Sequence, residues 1–126
     1  MKLTPVLLVD SIEKSLPFWM DRLAFAKTAE VADGDRLGFV MLGRDGADLM
    51  LQTWDSADKD VPALLQRGKA DTVGLFLVVD DFEDVKKRLA GYPVAVPERT
   101  TFYGMREIGV REPGGHFVIF AAPVAK

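Results

Sequence analysis

Residues 7–14 read LLVDSIEK and residues 77–84 read LVVDDFED. Each is an apolar run ending in Val-Asp, followed by Ser or Asp, a large apolar residue and Glu, and each opens a segment of helical periodicity. The offset of 70 residues in a chain of 126 implies two similar halves that together fill the molecule. Either match alone is unremarkable; the shared context gives the pair its weight.

Outward from the first copy, residues 3–9 (LTPVLLV) are nearly continuous in apolar character, as in a strand covered on both faces. Pro5 cannot donate to a ladder and belongs near the strand's start or on an unpaired side. Asp10 and Glu13 fit a capping box with Asp10 as N-cap. Ile12, Leu16, Trp19, Met20 and Leu23 then recur at helical spacing, with a kink expected at Pro17. Phe25 to Val31 alternates loosely, ADGD at 32–35 is a hairpin signal, and Leu37–Leu42 is the next strand. GRDG at 43–46 turns the chain again, and Asp48–Trp54 returns. Residues 55–71 read as a polar linker with one short helix over 61–68, started by Pro62 and stopped by Gly68.

The second copy repeats the order. Thr72–Val79 is an apolar strand, and Asp81–Ala90 a helix whose Phe82, Val85 and Leu89 face inward, with Gly91 as C-cap. Val94–Val96 begins a strand, with a turn or loop near 97–101. Met105–Arg111 follows, then a tight turn at EPGG (112–115) and a last strand, His116–Ala121. The expected fold class is α+β: paired βαβββ modules, about 1–55 and 72–124, forming curved mixed sheets in one domain over 1–126. In each module the helix covers one sheet face. Leu49 and Leu51 oppose Met50, Gln52 and Trp54; Val73, Leu75 and Leu77 oppose Gly74, Phe76 and Val78; Val118 and Phe120 oppose Phe117 and Ile119. The second set of each pair is expected to line a concave surface.

Composition narrows the function classes. A charged fraction of 28% and an apolar fraction of 48% suit a soluble globular protein. With a net charge of −3 and no Lys/Arg cluster, no nucleic-acid surface is expected. No apolar stretch approaches membrane-spanning length. Asp10 ends the N-terminal apolar run too early for a signal peptide, so the cytoplasm is the expected compartment. The absence of Cys removes disulfides, thiolate metal sites and thiol nucleophiles together. Asp45, Asp48, Asp55, Asp58 and Asp60 outnumber Arg44 and Lys59 in the most negative stretch. It reads as a solvated surface or, more sharply, as a rim that attracts a cation.

The segments VDSIEKSLPFWMDRLAF (9–25) and GMREIGVREPGGHFVIF (104–120) resemble the vicinal oxygen chelate superfamily, which includes glyoxalase I, extradiol dioxygenases, fosfomycin resistance enzymes and metal-free bleomycin resistance proteins. The resemblance implies paired modules and cup-shaped sites, often shared across a homodimer. It also implies metal ligands near the starts of the first and fifth strands and within the fourth and eighth. Those positions hold Thr4, Gly74, Met50 and Ile119, none suited to a divalent ion that wants imidazole and carboxylate. No metal and no other cofactor are therefore expected.

His116, the only histidine, follows the turn and is expected to stabilise it or to lie exposed. Arg106-Glu107 reads as structural. FWMDRLAF (18–25) looks most like the bleomycin resistance branch, so the expected function is metal-independent binding of a small molecule, cationic and planar, as in antibiotic sequestration. The ligand-binding candidates are Phe39, Met50, Gln52, Trp54, Phe76, Tyr103 and Ile119, with no catalytic residue. The alternative is a glyoxalase- or dioxygenase-like enzyme, for which Gln52, Tyr103 and Glu98 are the polar candidates. A third reading fills the cup with the protein's own side chains.

Overall fold

The computed structural model describes residues 2–60, 72–101 and 104–124. The chain divides into two compact units, Met1–Asp71 and Thr72–Lys126. Each carries a four-stranded mixed sheet with a helix early in its sequence, so the α+β class and the two βαβββ modules are observed.

In the first unit, β1 (Val6–Val9), β2 (Ala26–Asp33), β3 (Arg36–Arg44) and β4 (Ala47–Thr53) are ordered β1-β4-β3-β2, with β1 parallel to β4. Pro5 lies just outside β1, at the sheet's edge, and its carbonyl accepts from Met50 N–H at 2.9 Å. The β3–β4 turn has Asp45 at φ 52° and Gly46 at φ 84°, the two positive angles of a twist-matched two-residue hairpin.

Between β1 and β2 runs α1 (Ile12–Leu16), continued by a π-helical turn, Pro17–Arg22. Its N-cap is Ser11, whose hydroxyl accepts from Lys14 N–H, and not Asp10 as the capping box suggests. Glu13 reaches past the helix end to the N–H of Leu37 on β3 at 2.7 Å. Pro17, lacking an N–H, ends α1, and the wider turn lets Leu23 N–H reach Phe18 O, five residues back. The inward face shifts with it. Ile12, Ser15, Phe18, Trp19 and Leu23 are buried, whereas Leu16 and Met20 are only half-buried. Trp19 meets Phe18 and Phe25 edge-on at 5.1 and 5.2 Å between ring centres. These rings and Leu7, Val9, Val40, Leu42, Leu49 and Leu51 form the core under one sheet face.

A second helix, α2 (Trp54–Asp60), follows β4 directly. Trp54 is therefore the first residue of a helix and not the last of a strand, and residues 55–60 are helical where a linker was expected. Thr53 caps it: its buried hydroxyl oxygen accepts from Ser56 N–H at 3.1 Å. The short helix expected over 61–68 lies outside the described residues.

In the second unit, β5 (Gly74–Val78), β6 (Val96–Thr100), β7 (Met105–Arg111) and β8 (Phe117–Pro123) are ordered β5-β8-β7-β6. Helix α3 (Phe82–Arg88) is capped by Asp81, which accepts from Asp84 N–H at 3.0 Å, and Gly91 takes φ 80° beyond its end. β6 occupies most of the segment expected to turn. Pro97 is tolerated there because β6 is an edge strand, and the ladder slips between Val96 and Arg99. Leu75, Leu77, Val118 and Phe120 turn to one face with Phe82, Val85 and Leu89 of α3 in the same core. Phe76 and Val78 are exposed on the other. Among the described residues no helix is long and apolar enough to cross a membrane.

Candidate functional site

The alternation along β4 sets the site. Leu49, Leu51 and Thr53 point into the core, so Met50 and Gln52 face the opposite side of the sheet. Register carries that side across the strands: Met50 lies beside Val6 of β1, and Gln52 beside Phe39 of β3, which lies beside Val31 of β2. These side chains floor a recess of about 710 Å³. Its wall comes from Ala32 and Asp33 at the end of β2 and from Ser56, Lys59 and Asp60 of α2. Of the expected site residues, Phe39, Met50 and Gln52 are brought together here.

The floor is mostly apolar and only partly covered, with Val6 41% and Val31 59% exposed. Gln52 is the exception, a polar side chain buried to 7% exposure. Its Nε2 donates to Ser56 Oγ at 3.2 Å. Ser56 escaped the sequence reading because α2 did, and Lys59 and Asp60, read only as part of the acidic stretch, were not placed at this site for the same reason. The signals for α2 were Thr53 as a cap, Asp55 in the first turn and Lys59 in the last.

Two ion pairs tie α2 to the sheet: Lys59 to Asp33 at 2.7 Å and Asp55 to Arg36 at 2.5 Å. Arg36 also donates to Asp10 O at 3.3 Å. The hydrogen bond that Lys59 donates to Asp33, and then the Asp33 charge, raise the Lys59 ammonium above the ordinary lysine range. Gly38 makes room for the junction, since a Cβ there would lie 2.8 Å from Asp33 Cβ and 3.1 Å from Ser56 Cβ. The acidic stretch is partly paired. Asp45 pairs with Arg44, Asp48 with Lys2 and Asp55 with Arg36. Among the described residues, Asp58 and Asp60 keep their charges without an ion pair.

The remaining candidates stand elsewhere. Trp54 is half-buried at the start of α2. In the second unit Phe76, 51% exposed, lies beside Ile119 across the β5–β8 ladder. Tyr103 lies outside the described residues. Glu98 contacts Lys86 at 2.7 Å and Arg106 at 2.7 Å, and these cations hold its carboxyl below the usual range. Arg106 also bonds Glu83 and sits 4.6 Å over the Phe82 ring, whereas Glu107 is buried and pairs with Arg99. The two neighbours thus serve opposite faces of β7. His116 is buried at 2% exposure and accepts Val73 N–H at Nδ1.

The family-type metal positions do not fit a metal. Thr4 precedes β1, Met50 sits mid-β4, Gly74 opens β5 and Ile119 lies in β8. Gly74 and Ile119 have no donor atom in their side chains, and Met sulfur and Thr hydroxyl are poor partners for the divalent ions concerned. Among the described residues no group of three or more His, Cys, Asp or Glu gathers to hold an ion.

The whole chain has relatives of known structure. TioX from Micromonospora sp. ML1 superposes with a TM-score of 0.78 at 15% identity, covering 98% of this chain and 100% of that one. Lactoylglutathione lyase from Agrobacterium tumefaciens gives 0.70 at 17% identity, over 96% and 92%. TnmS3, an antibiotic binding protein from Streptomyces sp. CB03234, gives 0.66 at 21% identity, over 98% and 97%. At such identities the likeness is one of fold. No protein with a curated description matches the chain significantly. The sequence model of the Glyoxalase/Bleomycin resistance protein/Dioxygenase superfamily matches residues 3–120, and the chain belongs to that superfamily.

Proposed function

We propose that the protein binds a small organic molecule without a metal, as antibiotic-sequestering members of its superfamily do. The observation that carries this reading is the recess of the first unit, an apolar floor with a single buried polar side chain, Gln52. Sites of this make-up and size suit drug-sized ligands. The donor-poor set Thr4, Met50, Gly74 and Ile119 favours binding over metal-assisted chemistry. Glu98, held ionised by Lys86 and Arg106, is a poor proton donor for the enzymatic alternative.

In this proposal Phe39, Met50 and Gln52 hold the ligand's body. Trp54, Phe76, Tyr103 and Ile119 supply further contacts once two copies pair as a cytoplasmic homodimer. The exposed Phe76 and Val78 of β5 give such pairing an apolar face to cover. TnmS3, described as an antibiotic binding protein, motivates the ligand class. The test is a thermal-shift screen of antibiotics, bleomycin included, followed by titration of any hit into Phe39→Ala. Stabilisation of the wild type that this variant loses supports the reading. Stabilisation that survives Phe39→Ala and Gln52→Leu alike puts the ligand elsewhere.

A further inference from the structure

We infer that the ligand of this recess is uncharged and donates a hydrogen bond, from a hydroxyl or amide N–H, to Oε1 of Gln52. The inference rests on the proposed binding role and adds the chemistry that is recognised. Gln52 is more than nine-tenths buried, and its Nε2 is engaged by Ser56 Oγ at 3.2 Å. Among the described residues its Oε1 has no partner. A carbonyl oxygen that no protein group engages, not sealed from the recess at its apolar wall, favours a visitor that donates to it over one that cannot. Ser56 fixes the amide's orientation, because its own N–H is held by Thr53 Oγ1 at the cap of α2. The acceptor is thereby presented by regular structure on both sides, the strand β4 and the first turn of α2.

The charge balance argues for a neutral ligand. Among the described residues, Lys59 is the one cation lining the recess, and it is bonded to Asp33, which lines it too. Asp60 lies exposed at the end of α2, where solvent screens it. A charge carried in beside Phe39, Met50 and Gln52 would shed part of its hydration with no counter-charge on those three side chains, Asp60 standing at the outer wall.

Four probes sharing one ring system decide the matter: 2-naphthol, 2-methoxynaphthalene, 2-naphthoate and 2-naphthylmethylammonium. Each is titrated into the full ¹⁵N-labelled chain, with the amide signals of Phe39, Met50, Gln52 and Ser56 as readout. The expected result is 2-naphthol binding at least about fivefold more tightly than its methyl ether and than either ion. In Gln52→Leu that preference disappears while the ether still binds. Equal binding of naphthol and ether in the wild type overturns the inference and leaves the binding role standing, as does a preference for either ion or a ratio unchanged in Gln52→Leu. If none of the four probes moves these signals, the recess is not a ligand site and both readings fall. The wild-type ratio keeps the test decisive even if Gln52→Leu folds poorly.

Discussion

Nδ1 of His116 accepts the backbone N–H of Val73 at 3.0 Å, joining the turn before β8 to the entry of β5 across 43 residues of sequence. The same junction is closed by Phe117 N–H to Val73 O at 2.9 Å, and Glu112 Oε1 accepts His116 N–H at 3.1 Å. An imidazole nitrogen already occupied as an acceptor in a buried clamp is not available to a metal. The lone histidine is a structural part of the second unit.

Replacing His116 with Ala should therefore destabilise the protein by about 1–3 kcal/mol, the cost of a buried donor left unpaired plus a small cavity. Urea denaturation measures it. Ligand affinity at the first unit's recess, measured well below the unfolding transition, should stay within about twofold of wild type. Unchanged stability would remove the clamp from the account.

Glu13 gives the first unit an acid-sensitive contact. Its carboxylate accepts Leu37 N–H at 2.7 Å, which holds its folded-state titration below the ordinary value of 4.5. The charged form is thus favoured by folding, so the stabilisation is complete above the ordinary value. It fades as pH falls through the lower folded one. Glu13→Gln should lower stability slightly at neutral pH and converge with the wild type as pH falls, which flattens the acid side of the stability–pH profile. Because the side chain is largely exposed, the effect is small, and thermal melts on both proteins across the acid range will resolve it. An unchanged acid limb would contradict the assignment.

Gly38 tests how the wall of the recess is packed. A Cβ at this position meets Asp33 Cβ and Ser56 Cβ closer than side-chain carbons normally approach. Gly38→Val should cost about 1–3 kcal/mol of stability by overpacking and should displace α2 or the end of β2. Ligand affinity should fall with it. Full retention of both would mean that α2 moves freely over the sheet.

Much of the fold was legible because its punctuation is chemically strict. Asp45-Gly46 reads as a tight hairpin since both residues tolerate positive φ, and the Pro113-Gly114-Gly115 turn reads equally well. Alternation in β4 separated Leu49 and Leu51 from Met50 and Gln52, which supplied the middle strand's share of the recess floor. What escaped depends on competition between local preferences. Trp54 continues the strand's alternation and has high β-propensity, so it hid the cap at Thr53 and the whole of α2. Asp10 and Ser11 are both good caps, and one residue separates them. Pro97 argues for a turn until β6 is seen to be an edge. Within the acidic stretch, the pairing of Asp48 with Lys2 and of Asp55 with Arg36 was not legible because those partners are distant in sequence.

That partly paired rim has its own consequence. Binding should change less than about threefold between about 0.05 M and about 0.5 M salt, because ion-paired carboxylates exert little long-range pull. Isothermal titration with any hit from the antibiotic screen measures it. A steep loss of affinity with salt would restore the charged rim as the recognition element.

The central claim is that ligand binding needs the recess and no metal. Its most direct test is titration of one such hit into chelator-treated protein, with and without added Zn²⁺, Ni²⁺ or Fe²⁺, alongside Phe39→Ala. The account predicts the same affinity in all metal conditions and a loss of at least about tenfold in Phe39→Ala. Binding that appears only when metal is returned, and survives Phe39→Ala, would contradict it.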